Sequence, residues 1–237
     1  VHTEPELRVT ERLASRADCA PKEAFDRLVA ATDEQVKIEK AYESVPLSTV
    51  SRREEIEKNL PEAPDFTGDK GIKLEDVANN RATLAGFTAQ LEDVELEALC
   101  RGDYVMNSKL GTPGNAAVYG GILKSLRKKG VPPVSATDGP SGIRLHCYAS
   151  LLPIGTLLAS TWNQQLVREL YALEGAEMAR KGSDVLLAPG MNIHRHPLNG
   201  RNFEYFSEDP FVTGKMAAAM IRGLKSAGVT GTAKHFC

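Results

Sequence analysis

Cysteine is scarce in this sequence and never closely paired. Cys19, Cys100, Cys147 and Cys237 are its four, with no C-x-x-C among them, so neither a zinc ribbon nor a disulfide framework is suggested. Basic runs are missing too. The formal net charge is −2, which gives a nucleic-acid partner no electrostatic support. No apolar segment approaches the roughly 20 residues that cross a bilayer, so no membrane partner is expected. There is no N-x-S/T sequon, and the start V-H-T-E-P-E-L is neither a signal peptide nor headed by Met. The expectation is a cytoplasmic protein. Both ends fall in mid-pattern, so the sequence reads as a piece of a longer chain. G-x-G-x-x-G, P-loop, G-x-S-x-G and H-E-x-x-H motifs are all absent. That argues against dinucleotide, nucleoside triphosphate, serine-hydrolase and zincin chemistry, and no cofactor is expected.

What is present is ordinary in bulk: 237 residues, 42% hydrophobic and 25% charged, as in a globular protein with a sizeable core. One stretch stands out. From Pro189 to Asp209 the chain reads P-G-M-N-I-H-R-H-P-L-N-G-R-N-F-E-Y-F-S-E-D. It leaves an apolar run, Val185 to Ala188, and enters a helix opened by Asp209-Pro210. There Asp caps the first turn and Pro occupies a position whose N–H would be unpaired anyway. Ordinary connections need only about four to six residues. A loop this long and polar, after a buried strand and before a capped helix, reads as part of a site.

In chain order, the weak alternation of residues 1–15 (Leu7, Val9, Leu13) suits an edge strand ending a preceding β-domain. Pro21 to Glu43 reads as a helix and a turn, and Ser51 to Lys58 as a short solvated helix. Pro61, Pro64 and Gly68 mark a linker, with a domain boundary near 60–70. Leu84, Phe87, Leu91, Leu96 and Leu99 recur at helical spacing, giving two short helices around Glu92-Asp93. Gly102 to Gly121 reads as a long loop, Leu123 to Lys129 as a short helix closed by Gly130, and Pro132 to Thr137 as a strand entering Asp138-Gly139-Pro140-Ser141-Gly142. A strand is expected over Ile154 to Ala159. A helix capped by Thr161 or Asn163 should follow, with Leu166, Leu170, Leu173 and Met178 on one face. Strands at Val185–Ala188 and Val229–Ala233 flank a helix from Pro210 to Ala227. The alternation implies parallel βαβ units, too few to close an eight-fold barrel. The fold class expected is therefore α/β, a partial barrel that other chain must complete.

Polar clusters fall at three strand ends: Asp138, Asn192 to Arg201, and Lys234-His235. On a parallel barrel that rim carries the chemistry. Each residue has two local readings. Asp138 accepts two hydroxyls of a vicinal diol, or makes an Asx-turn before Gly-Pro. Arg201 offers its planar fork to a sugar hydroxyl or a carboxylate, or pairs with Glu204 or Glu208. Lys234 and His235 offer donors to neighbouring hydroxyls, or are a surface Lys and a packed His. His194-x-His196 looks like a metal pair but lacks a third ligand at a plausible spacing, so no metal is expected. Trp162, opening a helix, reads as core rather than as a sugar platform.

Taken together, D-G-P-S-G-I-R (138–144), L-L-P-I-G-T-L-L-A-S-T-W-N (151–163), the run from Leu186 to Pro210 and G-V-T-G-T-A-K-H-F (228–236) strongly resemble glycoside hydrolase family 3, the β-glucosidase family. The resemblance covers about residues 65 to 237. G-D-K-G-I-K-L-E-D-V (68–77) and the T-P-G…Y-G-G stretch (112–121) are similar to the subgroup in which the barrel follows the other domains. The resemblance implies that residues 1–20 are the tail of a fibronectin-III-like domain, 21–67 a linker region with short helices, and 68–237 the N-terminal part of a TIM-like (β/α)8 barrel. It implies a glycone pocket in which Asp138 holds the outer hydroxyls of a terminal glucose, while Arg201, Lys234 and His235 hold those nearer the reacting carbon. It implies a retaining mechanism whose nucleophilic Asp and acid/base Glu both lie outside this sequence. The partners implied are a β-glucoside or oligosaccharide and the remaining segments of the same enzyme, with oligomerisation left open. Other glycones (a β-xyloside or an N-acetylhexosaminide) and a non-catalytic carbohydrate-binding or assembly fragment are the alternatives.

Overall fold

The computed structural model describes residues 26–32, 38–44, 51–60 and 64–235, so the edge strand expected over 1–15 lies outside it. The chain divides into two compact units, Val1–Ala63 and Pro64–Cys237. In the first, β1 (Asp26–Thr32) and β2 (Ile38–Ser44) pair antiparallel, with Leu28 opposite Tyr42 and Ala30 opposite Lys40. This corrects the helix and turn expected between Pro21 and Glu43. Apolar residues in a segment this short fit either period, and a cross-strand ladder decides what local spacing cannot. The helix α1 (Arg52–Lys58) follows as expected, its Glu54, Ile56, Glu57 and Lys58 exposed.

The second unit begins with three short helices: α2 (Leu74–Ala78), which periodicity missed, α3 (Leu84–Ala89) and α4 (Asp93–Arg101). Thr83 caps α3 by accepting from the Gly86 amide at 3.0 Å. With α5 (Lys124–Lys128) they enclose a small core of Phe87, Leu91, Ala98, Leu126 and Val131.

A four-stranded mixed sheet follows, in the order β3 (Ala117–Gly120), β4 (Pro133–Thr137), β5 (Val185–Leu186), β6 (Thr230–Gly231). β3 runs antiparallel to β4, and the other three are parallel. β3 lies inside the stretch expected to be loop: Ala117 and Tyr119 pair with Ala136 and Val134 despite the glycines around them. Long helices cross between the parallel strands, as parallel pairing requires. These are α7 (Gln164–Arg180), capped by Asn163, and α8 (Pro210–Ser226), capped by Asp209. Their faces meet closely because Gly223 has no side chain: a Cβ there would stand 2.3 Å from the Arg168 carbonyl oxygen. Val167, Tyr171 and Met178 of α7 join Met216, Met220 and Leu224 of α8 and Leu186 of β5 in the main core. The inward face of α7 thus differs from the expected one, since Leu166 and Leu173 are exposed.

A further correction concerns Ile154 to Ala159. Gly155–Ser160 is a helix, α6, with Leu158 and Ala159 buried and Leu157 exposed. Its apolar run carries a helical alternation that only the packing partners reveal. Trp162 ends the connection to α7 at φ 55° and is 72% exposed, so it is not core.

Candidate active site

The three clusters do meet. β4 delivers Asp138 directly after its last residue. Beyond β5 and β6 the parallel pairing continues as a bridge between Gly190 and Lys234, with the Lys234 amide donating to Pro189 O at 3.0 Å and the Met191 amide to Lys234 O at 2.7 Å. This places Lys234 beside the end of β5, from where its side chain reaches toward Asp138 and Glu204. Its ammonium stands 3.6 Å from Asp138 Oδ1 and 3.6 Å from Glu204 Oε2. Glu204 also pairs with the Arg201 guanidinium, and Asp138 Oδ2 accepts from Arg144 Nη1 at 3.0 Å. Arg144, Asp138, Lys234, Glu204 and Arg201 therefore form one chain of alternating charge.

Burial is graded along that chain. The Glu204 and Lys234 side chains are 5% and 15% exposed, whereas those of Arg201 and Arg144 are 50% and 64% exposed. The inner pair forms a fixed base, because a buried charge must stay paired. The outer guanidinium of Arg201 and the half-buried Asp138 carboxylate face accessible space. The Glu204 hydrogen bond, above all, raises the pKa of Arg201 further and keeps it charged.

His235 is fixed differently. Its backbone amide donates to Asn192 Oδ1 at 2.8 Å, and its Nδ1 lies 3.0 Å from the same oxygen. An amide oxygen only accepts, so Nδ1 carries the proton and Nε2 is left as the acceptor of the neutral ring. Partial burial, then the charges of Arg201 and Lys234, lower the His235 pKa, with Glu204 acting the other way. Tyr205 stands edge-on to the ring, with centroids 6.1 Å apart. Asn192, Arg195, His196, Asn199, Tyr205 and His235 line a cavity of about 580 Å³ beside the charge chain.

All four expected site residues are thus at one rim. Asp138 is linked to Lys234 directly, Lys234 to Arg201 through Glu204, and His235 follows Lys234 in the chain. Asp138 uses its carboxylate on Arg144 and Lys234 and not on an Asx-turn. Glu204 orients Arg201 as expected, but Glu208 does not. It lines a separate cavity of about 390 Å³ with Trp162, Ser160 and His194. His194 and His196 are engaged apart, His194 Nε2 at 2.9 Å from Asn202 O and His196 Nδ1 accepting from the Leu198 amide at 3.1 Å. Arg144 was missed by the sequence reading. The signal for it is its place across a turn built on Gly139 and Gly142, at φ 128° and 116°.

An acceptor carboxylate flanked by an ammonium and a guanidinium, with an imidazole at the residue after the lysine, suits a polyhydroxylated ligand, where every hydroxyl both donates and accepts. The comparisons agree with that chemistry. Residues 114–237, more than half of the chain, match the glycosyl hydrolase family 3 N-terminal domain. The chain belongs to glycosyl hydrolase family 3. A β-glucosidase of Ruminococcus albus is 50% identical over 220 residues, which cover 92% of this chain and 23% of the relative. β-Glucosidase A of Butyrivibrio fibrisolvens is 40% identical over 168 residues, covering 69% of this chain and 19% of the relative. Among solved structures, a β-glucosidase from Paenibacillus barengoltzii superposes with a TM-score of 0.87 at 49% identity, covering 92% of this chain and 24% of that one. β-Glucosidase 3B from Thermotoga neapolitana, in complex with α-D-glucose, gives 0.58 at 34% identity over 65% of this chain and 23% of that one. The chain spans about a fifth to a quarter of the length of these relatives.

Proposed function

We propose that this chain is the first part of the barrel of a retaining β-glucosidase, and that it supplies the glycone-binding residues. The observation that carries the reading is the ion-pair chain Asp138–Lys234–Glu204–Arg201, which joins the ends of strands that run parallel. In this reading β4, β5 and β6 are early strands of a (β/α)8 barrel, whose later strands come from segments beyond this sequence. Asp138 holds the outer hydroxyls of a terminal β-D-glucosyl residue. Arg201, Lys234 and His235 hold hydroxyls nearer the anomeric carbon. Contacts that strengthen as the ring flattens toward an oxocarbenium ion lower the barrier, so these groups act on kcat as well as on binding.

The nucleophilic Asp and the acid/base Glu lie outside the chain. In the whole enzyme they would sit roughly 5–5.5 Å apart, as a double displacement requires. The chain alone should therefore bind sugar without turning it over. The test is the intact mass of the polypeptide that carries this sequence, followed by hydrolysis of p-nitrophenyl β-glucoside. Mass beyond 25.7 kDa together with glucose release supports the reading. Turnover by the 25.7 kDa chain alone, or none by the longer protein, overturns it. A panel of aryl xylosides and N-acetylhexosaminides separates the same-family alternatives.

A further inference from the structure

The face of α7 turned toward the Asp138 segment carries a row of polar side chains. Tyr171 Oη donates to Pro140 O at 2.6 Å. Glu177 accepts from the Ser150 amide at 3.2 and 3.3 Å, and Lys181 Nζ donates to the Tyr148 carbonyl. Between Tyr171 and Glu177, three residues from each and so on the same face, lies Glu174. It is 4% exposed, and among the described residues neither of its oxygens has a hydrogen-bond partner of normal geometry. The backbone amide of Gly142 faces it, and the neighbouring Ser141 hydroxyl is buried without a partner as well. A carboxyl group here, under a substrate-facing turn and not used by the site above, needs a role.

We propose that Glu174 is a positioning residue for Asp138: its buried carboxyl on α7 seats the Gly139–Gly142 turn, whose Gly142 backbone faces it, and that turn sets where the Asp138 carboxylate stands. The proposal rests on Asp138 being a sugar ligand, as argued above. The turn is tight enough to transmit such a restraint. The Arg144 amide donates to Asp138 O at 2.8 Å, the Gly142 amide to Gly139 O at 3.2 Å, and the Leu152 amide to Ser141 O at 3.0 Å. Gly142 is packed so closely that a Cβ would stand 2.4 Å from Ser150 O.

The chemistry of the carboxyl makes the restraint depend on pH. Burial, then the charge of Glu177, push the Glu174 pKa from 4.5 up to about 8, with the Gly142 amide offsetting part of this. The titratable groups acting on it are Tyr171 and Glu177 of its own helix. From the 138–150 segment it meets the Gly142 amide, and no cation acts on it among the described residues. With the turn closed, Glu174 is a neutral acid up to about pH 8; with the turn open, it meets water and ionises near 4.5. The closed state therefore binds one more proton between those values. Opening becomes easier by up to about tenfold per pH unit within that window and levels off above it.

Amide hydrogen exchange of the full-length protein that carries this sequence tests this without any catalysis. Intrinsic exchange alone rises about tenfold per pH unit, so between pH 5 and 8 the amides of Ser141, Gly142 and Arg144 should rise more steeply than that, by up to about a hundredfold per unit. Amides in the middle of α8 should keep the tenfold slope. Glu174→Gln, which cannot ionise, should bring the turn back to tenfold, and Glu174→Met should do the same if the Gln variant folds poorly. In the whole enzyme the ratio of wild-type to E174Q KM for p-nitrophenyl β-glucoside should grow over the same pH window with the kcat ratio level. Equal exchange slopes in wild type and variants overturn the positioning role. Steep exchange in an enzyme without glucosidase activity would instead leave the role standing and overturn the functional reading.

Discussion

The two polar segments that build the rim are held in opposite ways. The loop from Pro189 to Asp209 carries a dense set of bonds of its own. His194 Nε2 meets Asn202 O, Asn202 Nδ2 donates to His196 O at 2.8 Å, the Arg201 amide reaches Asn199 Oδ1, and Asp209 accepts from the Phe211 and Val212 amides. These partners lie within about ten residues, and the loop is also anchored by Thr156 of α6, which donates to Asn202 O and Tyr205 O, and by Lys234 and His235 beyond β6. The segment from Asp138 to Ser150 depends on a distant helix: Tyr171, Glu177 and Lys181 grip Pro140, Ser150 and Tyr148 from some thirty residues away. One part of the rim thus combines dense local bonding with anchors on α6 and β6, and the other relies for its long-range anchorage on α7.

Breaking that contrast should be most costly where the two segments share a residue. Glu204→Ala removes the carboxylate from a buried arrangement and leaves the Lys234 ammonium, 15% exposed, with Asp138 alone. Stripping one partner from a buried pair costs about 3–5 kcal/mol, and urea unfolding should show a loss of that size. The α7 attachment is tested by Tyr171→Phe. Only the hydroxyl to Pro140 O is lost, so unfolding free energy should fall by about 1–2 kcal/mol while exchange loosens at 139–144 and not in the 189–209 loop. Arg144→Ala sharpens the comparison from the small side. That side chain is 64% exposed and its pair with Asp138 is solvated, so stability should change by about 1 kcal/mol or less. A larger loss would mean that the Asp138 segment leans on its own ion pair more than on α7.

The same contrast decides what the sequence could reveal. The capped start of α8, the Glu204–Arg201 pair three residues apart and the strand ends at Asp138 and Lys234 are local, and motif and spacing carry them. Long amphipathic α8 was legible because Val212, Met216, Met220 and Leu224 repeat at helical spacing, though in α7 the same approach chose exposed Leu166 and Leu173 over buried Val167 and Tyr171. What was missed is non-local. The β1–β2 hairpin and β3 exist through their ladders, and α6 through a Gly155 close enough to the Glu204 carbonyl that a Cβ would stand 2.7 Å away. Trp162 was assigned to the core on residue type alone, and a large aromatic side chain in a tight turn can equally end at the surface. The link between Asp138 and Lys234 spans nearly a hundred residues and required the parallel sheet.

The most direct test of the central claim is Asp138→Asn in the full-length protein that carries this sequence, assayed with p-nitrophenyl β-glucoside while the first-formed glucose anomer is followed by NMR. The substitution keeps shape but removes the charge proposed to accept two sugar hydroxyls. The prediction is β-glucose released first by both enzymes, with kcat/KM lowered at least about tenfold in the variant, equivalent to about 1.4 kcal/mol of lost transition-state binding. An unchanged kcat/KM, or α-glucose as the first product, would contradict it.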